Sequence, residues 1–430
     1  MAAASSTARI VHKDKHDEQH FFDVAHSTLP PLEDGWVRVR SRLITISSMN
    51  LSYCALGRAL AWWDEVPLPA SLPAPYNNSS EYGVAPGWGV GEVIESRFPE
   101  LTAGTAIYGH MPTSAFPFNL CLQNSNHIPS HWIDVSEQRK KLMAAYNRFI
   151  VMPEAFNIQE SETALTLALQ ISFETGYVLN RFVFASWPED QQIHPFPEQQ
   201  LPWSVEDSDL RNAVVIALAA GGKSCRGFVQ QLATHRSPGS GPVGLIEVTS
   251  SQASGIDGTR APFPHQVVKY EDTLSSDLTE WIVAKNPRRI VITDFGGRDN
   301  IVEPLEQQLR AGLPQVKLNV IGVGREAQFK PGSAAIAQNL SGVRMNTSGI
   351  RVEAIKQLGE AQYFEQSESA FQKMIRAERE RAKAASQEGQ VLGVKIDMRD
   401  GMRGSSGFEQ AWSDLCTGQL SGNQALVFRI

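Results

Sequence analysis

Ala217–Phe228 reads ALAAGGKSCRGF, and the way this stretch folds decides how the rest of the chain is read. Two phosphate-binding loops compete for it. GGKS resembles the end of the triphosphate loop G-x-x-x-x-G-K-[ST], whose lysine reaches the β- and γ-phosphates. In that frame the first glycine falls at position 217, where the chain has Ala217. That glycine makes the tight turn that opens the cradle, so hydrolysis of ATP or GTP is disfavoured. Asp294, within TDFGG, adds no run of the kind that holds the accompanying Mg²⁺.

The dinucleotide reading suits the context better. AVVIALAA (213–220) is a short continuous apolar run, as in a central parallel strand. SCRGFVQQLATH (224–235) follows with helical spacing. Between them Ala219, Ala220, Gly221 and Gly222 let the backbone approach a diphosphate, and Lys223 and Ser224 open the helix. The G-x-G-x-x-G spacing is not met: Ser224 stands where a glycine is expected, and Gly227 comes late. Lys223 reads either as a compensating charge or as a solvated surface lysine.

Downstream, PVGLIEVTS (242–250), HQVVKY (265–270), RRIVITDFGG (288–297) and VKLNVIGVG (316–324) are four more apolar runs. Polar or helical stretches separate them, which predicts an α/β unit on a parallel sheet. The second run ends in Thr249, Ser250 and Ser251, which can donate to a 2′-phosphate, whereas Glu247 lies inside the run and points elsewhere. NADP is therefore favoured over NAD if a dinucleotide binds; an ordinary polar turn reads equally well.

Upstream the chain changes character. GWVRVRSRLITIS (35–47) alternates apolar and polar residues, and short Gly- and Pro-punctuated strands follow through about residue 125. The segments 137–151 and 160–184 carry helical spacing, and 186–211 reads as a polar, Pro-rich insertion. Near the end, 369–386 predicts a charged, exposed helix, 408–419 an amphipathic one and 425–430 a closing strand. The expected organisation is a flexible arm over 1–29, a β-rich catalytic domain over 30–160, a cofactor domain over 161–335, and a segment over 336–430 that returns to the catalytic domain.

Composition narrows the function. Thirty-nine basic against 46 acidic residues give a net charge of −7, with both signs interspersed, so no nucleic-acid footprint is expected. The four cysteines lie far apart without a CxxC pair, which argues against a structural zinc site. His12, His16, His20 and His26 sit in a polar run that reads as a solvated arm, not a metal site. No signal-peptide core or membrane-length apolar run is present, so a cytoplasmic location is expected.

The order of these parts resembles the medium-chain dehydrogenase/reductase superfamily, in its zinc-free quinone- and enoyl-reductase branch. GWVRVR with ISSMNLSYCALG (46–57), PGWGVGEVIES (86–96), GTAIYGHMP (104–112), HQVVKYED (265–272) and ITDFGGRDNIVEPLEQQL (292–309) match family segments in sequence. A poorly characterised fungal and bacterial subfamily, with a degenerate S-S-K-T-A-x-G loop, is more similar still: GGKSCRG (221–227), YNRF (146–149) and WGVGEV (88–93) suit it. The resemblance covers roughly residues 30–325 and implies a GroES-like β-rich domain beside a Rossmann-like one. It implies Tyr53 as the phenol that stabilises or protonates the developing oxyanion, Asn50 beside the nicotinamide, and Tyr108 as a further catalytic candidate. Ala220, Gly221, Gly222, Lys223, Ser224, Thr249, Ser250, Tyr270, Gly296 and Gly322 would then hold NADPH. His110 reads as a proton donor or as a structural histidine.

Two departures matter. The zinc-dependent branch has Gly-His-Glu where this chain has Trp88-Gly89, so zinc is not implied. The lysine that supports the 2′-phosphate has no counterpart near 254–256, leaving Arg260 as its substitute. The reading is an NADPH-dependent reductase of an activated C=C or C=O in a small, partly apolar metabolite, in secondary metabolism. The alternative is an isomerase, cyclase or lyase on the same fold with cofactor binding lost. A small-molecule substrate is expected, without nucleic acid or membrane, and a homodimer is left open.

Overall fold

The computed structural model describes residues 5–26, 29–153, 160–187, 189–198, 202–250, 261–325, 343–386 and 389–430. These fall into two compact units. One holds the described residues up to Ala168 and Ile396–Ile430, and the other those from Leu169 to Arg325 and from Val343 to Lys395. The α/β class with a separate β-rich unit is what the sequence predicted.

The six-stranded sheet of the second unit is all parallel, in the order His265–Lys269, Gly244–Thr249, Ala213–Leu218, Arg289–Asp294, Lys317–Gly322, Val343–Arg344. Counted along the chain this is 3-2-1-4-5-6, the doubly wound order whose first and fourth strands flank the crevice where nucleotides bind. The strands are continuous apolar runs because helices cover them: every residue of Ala213–Leu218 is buried. Val214, Ile216 and Leu218 share one core with Ile246, Ile292, Leu305 and Leu309. The helices Lys223–Thr234, Ser276–Ala284 and Val302–Gly312 alternate with the strands.

Gly227 explains its late position here. A Cβ on it would lie 3.3 Å from Phe173 Cα, and one on Gly176 would lie 2.5 Å from the Phe228 nitrogen. The helix Lys223–Thr234 therefore packs backbone to backbone against the part of Glu160–Val178 that follows Leu169. Gly227 is a packing glycine and not a phosphate-binding one.

The first unit is built around the long strand Trp36–Ile46, antiparallel to Pro86–Ser96 and to Gln424–Arg429. Ala106–Pro112, Arg148–Val151, His131–Asp134 and Phe118–Asn124 follow in turn. The last of these pairs back onto the first, from Trp36 with Cys121 to Val39 with Phe118, and closes the sheet into a barrel. Closure needs sharp bending, supplied by register shifts at Arg38/Val39, opposite Glu95 and Val93, and at Ser41/Leu43, opposite Gly91 and Val90. Val37, Val93, Met111, Leu120 and Phe149 fill the interior.

Four expectations are corrected. Residues 137–151 are not a helix but two short turns, Glu137–Arg139 and Ala144–Asn147, and the strand Arg148–Val151. Barrel closure overrides the local helical spacing by drawing Phe149 into the core. Residues 5–26, expected as a flexible arm, form the hairpin Ser5–His12 and Gln19–Ala25. Ile10 and Val24 are buried with Tyr82, and the Arg9 guanidinium lies 4.0 Å from the Trp412 ring. The C-terminal segment divides: only Ile396–Ile430 groups with the β-rich unit. The helix Glu360–Ala384 is not uniformly exposed, because Phe371, Met374, Ile375, Glu378 and Ala382 form a buried stripe at helical spacing.

Among the described residues no helix is long and apolar enough to cross a membrane.

Candidate functional site

The α/β unit carries a cradle where Ala213–Leu218 ends. Ala219 takes a left-handed conformation, φ 60°, that turns the chain sharply. Its amide donates to the Tyr270 hydroxyl at 3.1 Å, and the Ala220 amide donates to Val248 O at 2.9 Å. The Gly222 amide closes the turn on Ala219 O at 2.9 Å. Gly222 then caps the helix Lys223–Thr234 without any side-chain cap. The first helical backbone bond runs from Arg226 N to Gly222 O, so the amides of Lys223 and Ser224 face outward at the positive end of the helix. Arg226 braces the turn by donating to Gly221 O at 3.0 Å and to Leu392 O at 2.9 Å.

Lys223 differs from every neighbour. It is half-buried, and it makes no hydrogen bond or ion pair with a described residue. Burial, reinforced by the nearby Arg226 charge, pushes its ammonium down to about 8. A cation in the first turn also opposes the helix dipole. Three unfavourable influences therefore meet at one ammonium, and an anion would relieve all of them.

The other cofactor candidates lie at the same C-terminal edge of the sheet. Thr249 is buried and Ser250 exposed after the second strand. Glu247 is fully buried, with its carboxylate 2.7 Å from His265 Nε2. Tyr270 follows the third strand and is brought to the turn through its bond from Ala219. Gly296, at φ 116°, follows the fourth; its amide and that of Gly297 donate to Asp294 Oδ1 at 2.9 and 2.6 Å. Gly322 ends the fifth, its carbonyl accepting from Met345 N at 2.7 Å. Burial lowers the pKa of Arg325, which follows the fifth strand, and of Arg344, which ends the sixth. Ser251 and Arg260 lie outside the described residues. What is present fits a dinucleotide diphosphate: a sharp turn, outward helix amides and an uncompensated cation.

The catalytic candidates belong to the β-rich unit. Asn50 is the third residue of the helix Ser48–Leu56 and works as a cap: Oδ1 accepts from Ser47 N at 2.9 Å and Nδ2 donates to Pro86 O at 3.2 Å. Both ends of its amide are thus engaged in holding backbone. Tyr53, one turn later, accepts from Trp88 Nε1 at 2.8 Å and is hydrogen-bonded to Tyr146. Burial, then the Tyr146 phenol, hold Tyr53 well above the usual tyrosine range, so it is a neutral donor. Tyr108 is buried and stacks on Trp88, with ring centres 5.6 Å apart.

Beneath these rings lies a charge cluster that the sequence did not disclose. His110 Nδ1 sits 2.5 Å from Glu65 Oε1, and both side chains are almost wholly buried. Arg139, also fully buried, donates to His110 O at 3.0 Å and to Tyr146 O at 2.7 Å. Its guanidinium lies 3.6 Å from Glu65 Oε2 and 3.9 Å from Asp134 Oδ2. Burial outweighs the Glu65 carboxylate and lowers the pKa of His110, which is neutral near pH 7. With its Nδ1 proton on Glu65, Nε2 carries a lone pair that meets no donor among the described residues. This is the acid–histidine arrangement used for general acid–base work. Glu65, His110, Asp134 and Arg139 come from separate turns and strands, so no local motif announces them. The signals are His110, read from the sequence as a proton donor or a structural histidine, and Glu65 within the aromatic run WWDE (62–65).

Among the described residues no group of three or more His, Cys, Asp or Glu side chains could hold a metal ion. No curated protein matches the chain. Among solved structures, CurA from Vibrio vulnificus is similar at 11% identity, covering 99% of this chain and 98% of that one, with a TM-score of 0.48. The same protein in complex with NADPH gives 10% identity, 98% of each chain and 0.49. A putative NADPH:quinone reductase from Bacillus thuringiensis gives 14%, 100% of each and 0.43. The family model described as "Protein of unknown function (DUF2855)" matches residues 44–421, and the chain belongs to that family.

Proposed function

We propose that the protein is an NADPH-dependent oxidoreductase of the zinc-free medium-chain type, reducing an activated C=C or C=O in a small, partly apolar metabolite. The observation that carries this reading is Lys223: a half-buried ammonium, without a counter-charge among the described residues, at the uncapped start of the helix after the first strand of a 3-2-1-4-5-6 sheet. That is where a dinucleotide diphosphate is held in this topology. Bound there, NADPH supplies a hydride. The chain's own residues do the rest: the Gly221–Ser224 backbone and Lys223 bind the diphosphate, and Tyr270 fixes the turn. Ser250, exposed after the second strand where a carboxylate would disfavour a 2′-phosphate, favours NADPH over NADH.

Calorimetric titration tests this reading. NADPH is expected to bind saturably and at least tenfold more tightly than NADH, and to raise the melting temperature by mass action. Absence of binding at millimolar NADPH, with the protein folded, refutes it. One observation favours a second reading, an isomerase, cyclase or lyase: the neutral His110 with a free Nε2 lone pair can move protons without any cofactor. That reading takes over if NADPH does not bind.

A further inference from the structure

Tyr146 occupies an unusual position in the β-rich unit. Its ring centre lies 4.7 Å from that of His110, 5.3 Å from Trp62, 5.8 Å from Tyr53 and 6.0 Å from Trp88. These four side chains are buried, whereas Tyr146 is partly exposed. It projects from the turn Ala144–Asn147, none of whose residues is buried. The backbone there is anchored: Arg139 holds the Tyr146 carbonyl at 2.7 Å, and Asn147 donates to Arg139 O at 3.0 Å. Rotation about the Tyr146 side-chain bonds therefore moves the ring without disturbing barrel or turn.

We infer that Trp62, Trp88, Tyr53 and His110 form a binding box for an uncharged planar ring bearing a hydroxyl, and that Tyr146 is the protein's own plug in that box. Each part of the ligand description has a cause. The flat aromatic walls select a flat, conjugated molecule. His110 Nε2, fully buried and without a donor among the described residues, selects a ligand O–H. Arg139 already faces both Glu65 and Asp134, which leaves no cation for an anionic ligand, and the buried walls penalise any charge that loses its hydration there. Tyr146 itself has this chemistry, being a neutral phenol against the same rings. The site stands whether or not the α/β unit binds a cofactor.

The probe is 4-cresol, which reproduces the tyrosine side chain, with 4-methylanisole as the analogue lacking the O–H. Binding is read by calorimetry and by the ¹⁵N resonance of His110 Nε2. Wild-type protein is expected to bind 4-cresol saturably, with movement of the Nε2 resonance, and at least tenfold more tightly than 4-methylanisole. Tyr146→Ala should bind it at least tenfold more tightly than wild type, and His110→Phe, which keeps a ring but lacks Nε2, at least tenfold more weakly. Equal affinity for the two probes, an unmoved Nε2 resonance at saturation, or no binding to wild type overturns the inference. The wild-type measurements decide it alone if Tyr146→Ala does not fold. NADPH titration is a separate readout, so failure of the cofactor reading leaves this result unaffected.

Discussion

Arg139 and Lys223 are both cations withdrawn from water, and the protein treats them in opposite ways. Arg139 is fully buried yet donates to two carbonyls and faces two carboxylates, Glu65 and Asp134. Lys223 is only half-buried, yet no described residue offers it an acceptor, and Arg226 adds repulsion. A buried ion costs several kcal/mol of lost hydration unless hydrogen bonds and opposite charge replace it. The first site has carbonyls and carboxylates gathered around its cation as folded. The second is left electrostatically open, as a site for an external anion must be.

If that contrast is right, removing each cation has a different consequence. The largest effect is expected for Arg139→Met, which strands Glu65 and Asp134 in the interior. It should lower stability by about 3–5 kcal/mol in urea unfolding; a loss below about 1 kcal/mol would show that the cluster is not electrostatically coupled. Lys223→Met should leave stability unchanged or raised. It should weaken NADPH by roughly ten- to a hundredfold, the worth of a charged hydrogen bond of about 1.5–3 kcal/mol. Destabilisation with unchanged affinity would reverse the two roles.

The pH dependence sharpens the contrast further. With its folded pKa depressed to about 8, the free Lys223 is charged below that pH and neutral above it. A diphosphate prefers the charged form, so NADPH affinity should be flat below about pH 8 and fall above it, by at most about tenfold per unit, with proton uptake measurable calorimetrically. For the unliganded protein the sign is opposite. The unfolded lysine holds its proton more tightly, so this group's contribution to stability improves as pH rises from about 8 toward the ordinary lysine value. A flat affinity profile through this range would place Lys223 away from the anion. The smallest effect is expected for Asn50→Ala, a cap and not a ligand contact: about 1 kcal/mol of stability lost, with NADPH affinity unchanged.

The two sites were not equally legible. The cradle is local: strand, turn and helix are contiguous over Ala213–Thr234, so the apolar run and small residues disclosed it. Tyr270 was read as a neighbour of this turn from the resemblance alone, and its bond from the Ala219 amide is a tertiary fact. Asn50 and Tyr53 were visible as polar residues on one short helix, but the cap geometry that occupies Asn50 was not. The box and its charges were hidden because Trp62, Glu65, Trp88, His110, Asp134, Arg139 and Tyr146 come from separate strands and turns. The helical spacing of 137–151 even pointed away from them.

By itself the sequence determined the class of each unit, because apolar period and turn residues act over a few positions, and it located the strand–turn–helix over Ala213–Thr234 for the same reason. Tertiary structure decided the rest. Barrel closure turned a helical pattern into two turns and a strand, placed Tyr146 among four aromatic side chains, and set His110 against Glu65. The packing of the α/β unit left Lys223 without a counter-charge among the described residues. Charge balance depends on distances between residues far apart in the chain, and no local pattern encodes those.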